Sequence, residues 1–80
     1  MSLKYFNSPE EFLTFAKTEL NVMDDISLDT AFRKLPIWSS LNALILISRI
    51  HEETGILISS SELASMITFG DIFDKIISQQ

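Results

Sequence analysis

Trp38-Ser39-Ser40-Leu41-Asn42-Ala43-Leu44 is the stretch on which the reading of the fold turns. Two serines stand directly before a run rich in leucine and isoleucine. Serine is among the best residues for the unpaired N–H groups at a helix start, so a helix should begin here. A hydroxyl in that first turn can act in two ways. It can cap the backbone, or it can stay free as an attachment point for a phosphate-linked group.

Reading forward, the helix should run from about Ser40 to Glu53 and stop at Gly55. Ala43, Leu46, Ile47 and Ile50 form one apolar stripe that should face the core. Leu41, Leu44 and Ile45 fall on another face, with Ser48 and Glu52. This second patch is either covered by a loop or left as a contact surface. Gly55-Ile56-Leu57-Ile58 has strand-like composition, but no other segment offers it a partner. It reads as an extended connection that buries Ile56 and Ile58. Ser59 and Glu62 form a capping box that opens a short helix to about Met66. Thr68-Phe69-Gly70-Asp71 is a further start signal. Phe69, Ile72, Phe73, Ile76 and Ile77 then repeat at i, i+3, i+4, i+7 and i+8, giving an amphipathic helix to about Ser78.

Reading backward, Asn21 to Ile37 is a long connection in which Ile26, Leu28, Phe32, Leu35 and Ile37 should pin the chain to the core. A short helix near Leu28 to Lys34 fits the pattern. Asp24, Asp25 and Asp29 lie in this segment without the glycine turn that a calcium loop requires, so they read as solvated carboxylates. Before it, Ser8-Pro9-Glu10-Glu11 starts a first helix, with Ser8 as cap, Pro9 at the first position and Glu11 completing a capping box. Phe12, Phe15, Ala16 and Leu20 line one face to about Leu20. Glu10 and Glu11 are explained by the helix dipole without catalytic chemistry. The expected fold is all-α: a single domain over 1–80, a small bundle of three longer helices and one short one, with a long loop between the first two.

Composition narrows the function classes. The 80 residues include 46% hydrophobic side chains, enough for one core. The chain carries no Cys, so disulfides, thiolate metal sites and cysteine nucleophiles are excluded. Six basic against eleven acidic residues give a net charge of −5, which disfavours nucleic acid and anionic membranes as partners. The N-terminal Met1 to Pro9 lacks the apolar run of a signal peptide, and Leu44 to Ile47 is far too short to span a bilayer. A cytoplasmic monomer is the expectation. His51 lies three turns from Ser40 along the same helix, out of reach as a catalytic base, and no glycine-flanked nucleophile turn surrounds the serines. The chain is not expected to be an enzyme.

Ser40-Leu41 opening an aliphatic helix, Glu52-Glu53-Thr54-Gly55-Ile56-Leu57-Ile58, a short helix, and Met66-Ile67-Thr68-Phe69 before a last amphipathic helix together resemble an acyl carrier protein. The resemblance is ungapped from Ser40 to about Ile77 and looser over Phe12 to Leu20 and Phe32. It implies that Ser40 carries 4′-phosphopantetheine, transferred from coenzyme A by a phosphopantetheinyl transferase, and that the arm's thiol holds acyl intermediates as thioesters. It further implies acyl-processing partners, such as ketosynthases or acyl-ligases, in fatty-acid, polyketide or related biosynthesis. An acyl chain would slip among Leu46, Ile50, Ile58, Leu63, Met66 and Ile72, with Phe32 from the loop. These are also core positions of any helical bundle. Partners would dock on the second-helix face at Leu41, Leu44, Ile45, Ser48, Arg49 and Glu52. Two departures stand out. Ser39 replaces the family's Asp, which helps the transferase recognise its site, and Pro36-Ile37-Trp38 stands where a glycine is usual. That face also carries Asn42 and His51, with acid only at Glu52 and Glu53, so docking would lean on apolar contact. The alternative is a carrier-like helical interaction module that is never modified.

Overall fold

A computed structural model describes residues 6–79, and the N-terminal stretch Met1 to Tyr5, part of the segment read for a targeting signal, lies outside the described residues. Helix α1 spans Pro9–Leu20. Ser8 Oγ accepts the Glu11 N–H at 3.2 Å, and Pro9 occupies the first turn, where no N–H is missed. The expected capping box is not closed. The Glu11 carboxylate reaches one residue further back and accepts the Asn7 N–H at 3.4 Å. Asn21 ends the helix in the left-handed region at φ 55°, a conformation that its short polar side chain tolerates.

Helix α2 spans Ser40–Thr54, α3 Ser60–Ala64 and α4 Phe69–Gln79. The fold is an all-α small bundle, with no strand among the described residues beyond an isolated bridge between Ala31 and Thr68. Gly55 stops α2 at φ 76°, and its N–H bonds to the His51 carbonyl. Thr54, at the end of α2, is buried with its hydroxyl satisfied on both sides. It donates to the Ile50 carbonyl at 2.7 Å and accepts the Ile56 N–H at 3.1 Å, which turns the chain into its extended connection. That connection buries Ile56 and Ile58 and exposes Leu57, as the alternation predicts. Both halves of the Ser59–Glu62 capping box are present on α3.

The long loop is held chiefly by α4. Among its residues, only Phe32–Lys34 forms a helical turn, a short 3-10 segment in place of the longer helix over 28–34. The first N–H groups of α4 are capped by loop carbonyls. Phe69 N–H bonds to Thr30 O at 3.1 Å and Gly70 N–H to Leu28 O at 2.8 Å, while Phe32 N–H bonds back to Ile67 O. A Cβ at Gly70 would lie 2.9 Å from the Leu28 carbonyl oxygen, so the glycine is what allows the loop to approach so closely. The Asp71 carboxylate accepts the Ile67 and Thr68 N–H groups, which holds it below the usual carboxylate range, the Ile67 bond first among the causes.

Phe32 is completely buried, whereas Ile37, expected to pin the loop, is exposed. Its neighbour Trp38 takes the inward position. Val22 and Phe6 are buried outside any helical stripe, and Ile77 lies at the open end of the α4 stripe, exposed. α1 packs against α2 and α4. An aromatic row links Phe6 and Phe12 through Phe69 to Phe32 and Trp38, with centroid separations of 4.7–6.5 Å. The row ends one residue before Ser39, so the start of α2 is braced by the core.

Candidate functional site

The two serines at the start of α2 have different surroundings. Ser39 is the N-cap. Its backbone is extended (φ −155°, ψ 170°) and its Oγ accepts the Asn42 N–H at 3.2 Å. Asn42 in turn donates through Nδ2 to the Ile37 carbonyl, which fixes the turn leading into the helix. Ser40 is the first helical residue. It is exposed, and its hydroxyl has no hydrogen-bond partner among the described residues. The cap is therefore supplied by the neighbour, leaving the Ser40 oxygen free for chemistry.

Ser40 stands on the rim of a cleft of about 490 Å³ between α2 and α3. On the α2 side the wall is Trp38, Ser39, Ser40, Ala43, Leu44 and Ile47. Ser60, Leu63 and Ala64 form the α3 side, and Arg33 reaches in from the 3-10 turn. The Arg33 guanidinium donates to the Leu63 carbonyl at 2.6 Å and to the Met66 carbonyl, and stacks 4.8 Å from the centre of the Phe32 ring. It staples the long loop to α3. Sequence reasoning missed Arg33. Its partners lie 30 and 33 residues away and are backbone carbonyls, which leave no residue-type signature.

The seven residues matched to an acyl channel come together in the hydrophobic core. Phe32, Leu46, Ile50, Ile58, Leu63 and Ile72 are 0–5% exposed, and Met66 packs against them half-buried. Leu63 is the one of the seven that also lines the cleft. The open space beside Ser40 is built from Trp38, Ala43, Leu44 and Ile47 on the α2 side.

The residues matched to a docking face separate into two groups. Leu41 and Leu44 are 67% and 58% exposed, so the long loop does not cover them. Ser48 and Glu52 are also exposed, and Ile45 is half-buried. Arg49 is committed internally. Its guanidinium meets Glu19 of α1 at 2.7 Å, Glu52 at 2.7 Å and Glu53 at 3.3 Å. The Glu19 hydrogen bond, followed by the Glu19 charge, holds the Arg49 pKa above its ordinary value. This arginine braces α1 against α2.

Three or more potential metal-ligating side chains do not come together anywhere among the described residues, and none of the described helices is long and apolar enough to cross a membrane. His51 lies eleven residues from Ser40 on α2, about 16 Å along the axis, and is no base for it. No protein-family model matches the chain, and no curated protein or solved structure matches it.

Proposed function

We propose that this protein is an acyl carrier: Ser40 bears a 4′-phosphopantetheine arm, and the chain presents thioester-bound acyl groups to separate enzymes. The observation that carries the reading is the free, exposed Ser40 hydroxyl on the rim of the α2–α3 cleft, with the capping role already filled by Ser39. The residues present fit such a group. The serine oxygen is accessible to a transferase, and the free N–H groups at the start of α2 suit a phosphodiester there. The cleft offers Ser39 and Ser60 hydroxyls to polar parts of the arm, and Ala43, Leu44 and Ile47 to its apolar parts. When attached, the arm supplies a thiol that a chain without Cys lacks.

The chain itself does no bond chemistry in this reading. Ser40 is a tether, and Trp38 with the aromatic row behind it keeps the tether at a fixed place on the bundle. Leu41 and Leu44 flank the tether and give partner enzymes an apolar surface to meet, with Arg49 unavailable as a charged contact. The partners are a phosphopantetheinyl transferase and acyl-processing enzymes, and the setting is cytoplasmic.

The test is direct. Incubation with coenzyme A, magnesium and a broad-specificity phosphopantetheinyl transferase should add one arm by intact mass, and Ser40→Ala should abolish the gain. No gain in the wild type refutes the carrier reading. It would leave the exposed Leu41 and Leu44 as the mark of an unmodified interaction module.

A further inference from the structure

In a chain of net charge −5, positive charge is scarce. Lys17, Arg49 and Lys75 each sit within 4 Å of a carboxylate. Arg33 and Lys34 have no such partner among the described residues, and of the described residues Arg33 is the one charged side chain lining the cleft that Ser40 borders. Nor is it free to swing away. Two carbonyls, Leu63 O and Met66 O, and the Phe32 ring hold the guanidinium in place. Those two bonds use two of its five N–H donors, so a positioned cation with donors to spare lines the cleft.

We propose that Arg33 is the positioning residue for the arm: its guanidinium takes a phosphodiester oxygen of the group tethered on Ser40 and lays the arm's first segment into the cleft. This inference rests on the carrier reading above. A guanidinium matches a phosphate better than any other side chain does, because its planar fork presents parallel N–H groups to two oxygens. The neighbouring surface suits the rest of the arm. Trp38 and Ile47 offer an apolar wall, and Ser60 a hydroxyl. Because the same guanidinium bridges to α3, attachment of the arm also reinforces the junction between the long loop and α3.

The experiment compares unmodified and loaded protein for the wild type, Arg33→Lys and Arg33→Gln, with loading confirmed by intact mass and stability read by urea unfolding. In the wild type the arm should raise the folding equilibrium constant by about fivefold, the scale of an exposed ion pair. The increment should fall in Arg33→Lys and fall further in Arg33→Gln, to the part that the start of α2 alone supplies. If Arg33 is only a staple, the substitutions lower unmodified and loaded forms by the same factor and the increment is undiminished, which overturns the proposal. Should Arg33→Gln not fold, phosphorus NMR of loaded wild type and Arg33→Lys decides. The phosphodiester resonance should be displaced in the wild type from its position in concentrated urea, and less so in the lysine variant. Coincident resonances overturn the proposal. A wild type that gains no mass removes the carrier reading and this inference together, whereas loading without an Arg33-dependent increment removes this inference alone.

Discussion

Replacing each serine at the start of α2 by alanine separates their roles. Ser39→Ala removes the oxygen that accepts the Asn42 N–H at 3.2 Å, and nothing else in the turn replaces it. Loss of an N-cap serine costs about 1 kcal/mol. For a domain of this size that corresponds to a fall in Tm of roughly 4–8 °C. Ser40→Ala removes a hydroxyl with no partner from an exposed helical position, and alanine is the better helix former by a few tenths of a kcal/mol. Its stability should match or slightly exceed the wild type. The two variants should therefore differ by about tenfold in folding equilibrium constant, with Ser39→Asp close to wild type because aspartate caps as well as serine and complements the helix dipole. Urea unfolding followed by far-UV circular dichroism and by fluorescence of Trp38, the single tryptophan, measures all three. Equal losses for Ser39→Ala and Ser40→Ala, or a larger loss for Ser40→Ala, would refute the assignment of the cap.

Other consequences follow from the packing. Gly70→Ala gains helix propensity but places a Cβ 2.9 Å from a backbone carbonyl that cannot rotate away, so it should destabilise by about 1–3 kcal/mol; stabilisation would show that the loop is not pinned there. Phe32→Ala empties a fully buried site between Phe69 and Trp38 in the aromatic row and should cost about 3–5 kcal/mol, measured by the same unfolding assay. The Glu62 carboxyl is held below its usual range, first by its hydrogen bond to Lys75 and then by the Ser59 N–H, and Asp71 is lowered likewise by backbone N–H groups. A depressed carboxyl stabilises the fold above its unfolded pKa, near 4, and that stability is lost as pH falls through the lower folded value. Glu62→Gln and Asp71→Asn should therefore flatten the stability profile below about pH 5; unchanged steepness in the double variant would contradict those contacts.

Much of this fold was legible because local chemistry dictates it. Ser8-Pro9 begins α1 at Pro9, Ser39 begins α2, Ser59 begins α3, and the left-handed Gly55 ends α2. What the sequence does not carry is where a non-repeating segment lies. The loop residues Phe32 and Ile37 have equal apolar credentials, yet Phe32 is buried and Ile37 exposed, because hydrogen bonds to the start of α4 determine which part of the loop turns inward. The site divides in the same way. That Ser40, Leu41 and Leu44 lie off the core stripe follows from helical periodicity, whereas the exposure of the two leucines depends on where the long loop runs. The cleft does not follow from periodicity either, because periodicity identifies which residues point inward but not where their packing leaves space. Leu46, Ile50, Ile58 and Ile72 close on one another, and the space opens beside Trp38 and Ile47. Arg33 was hidden for the same reason, its partners being backbone carbonyls distant in sequence.

The central claim is that Ser39 caps and Ser40 carries the arm. Tandem mass spectrometry of peptides from transferase-treated protein tests it most directly, by locating the added phosphopantetheine. The expected result is a single arm on Ser40, with Ser39 unmodified and with no arm anywhere in the Ser40→Ala variant. An arm on Ser39, an arm that survives Ser40→Ala, or no arm at all would contradict the account.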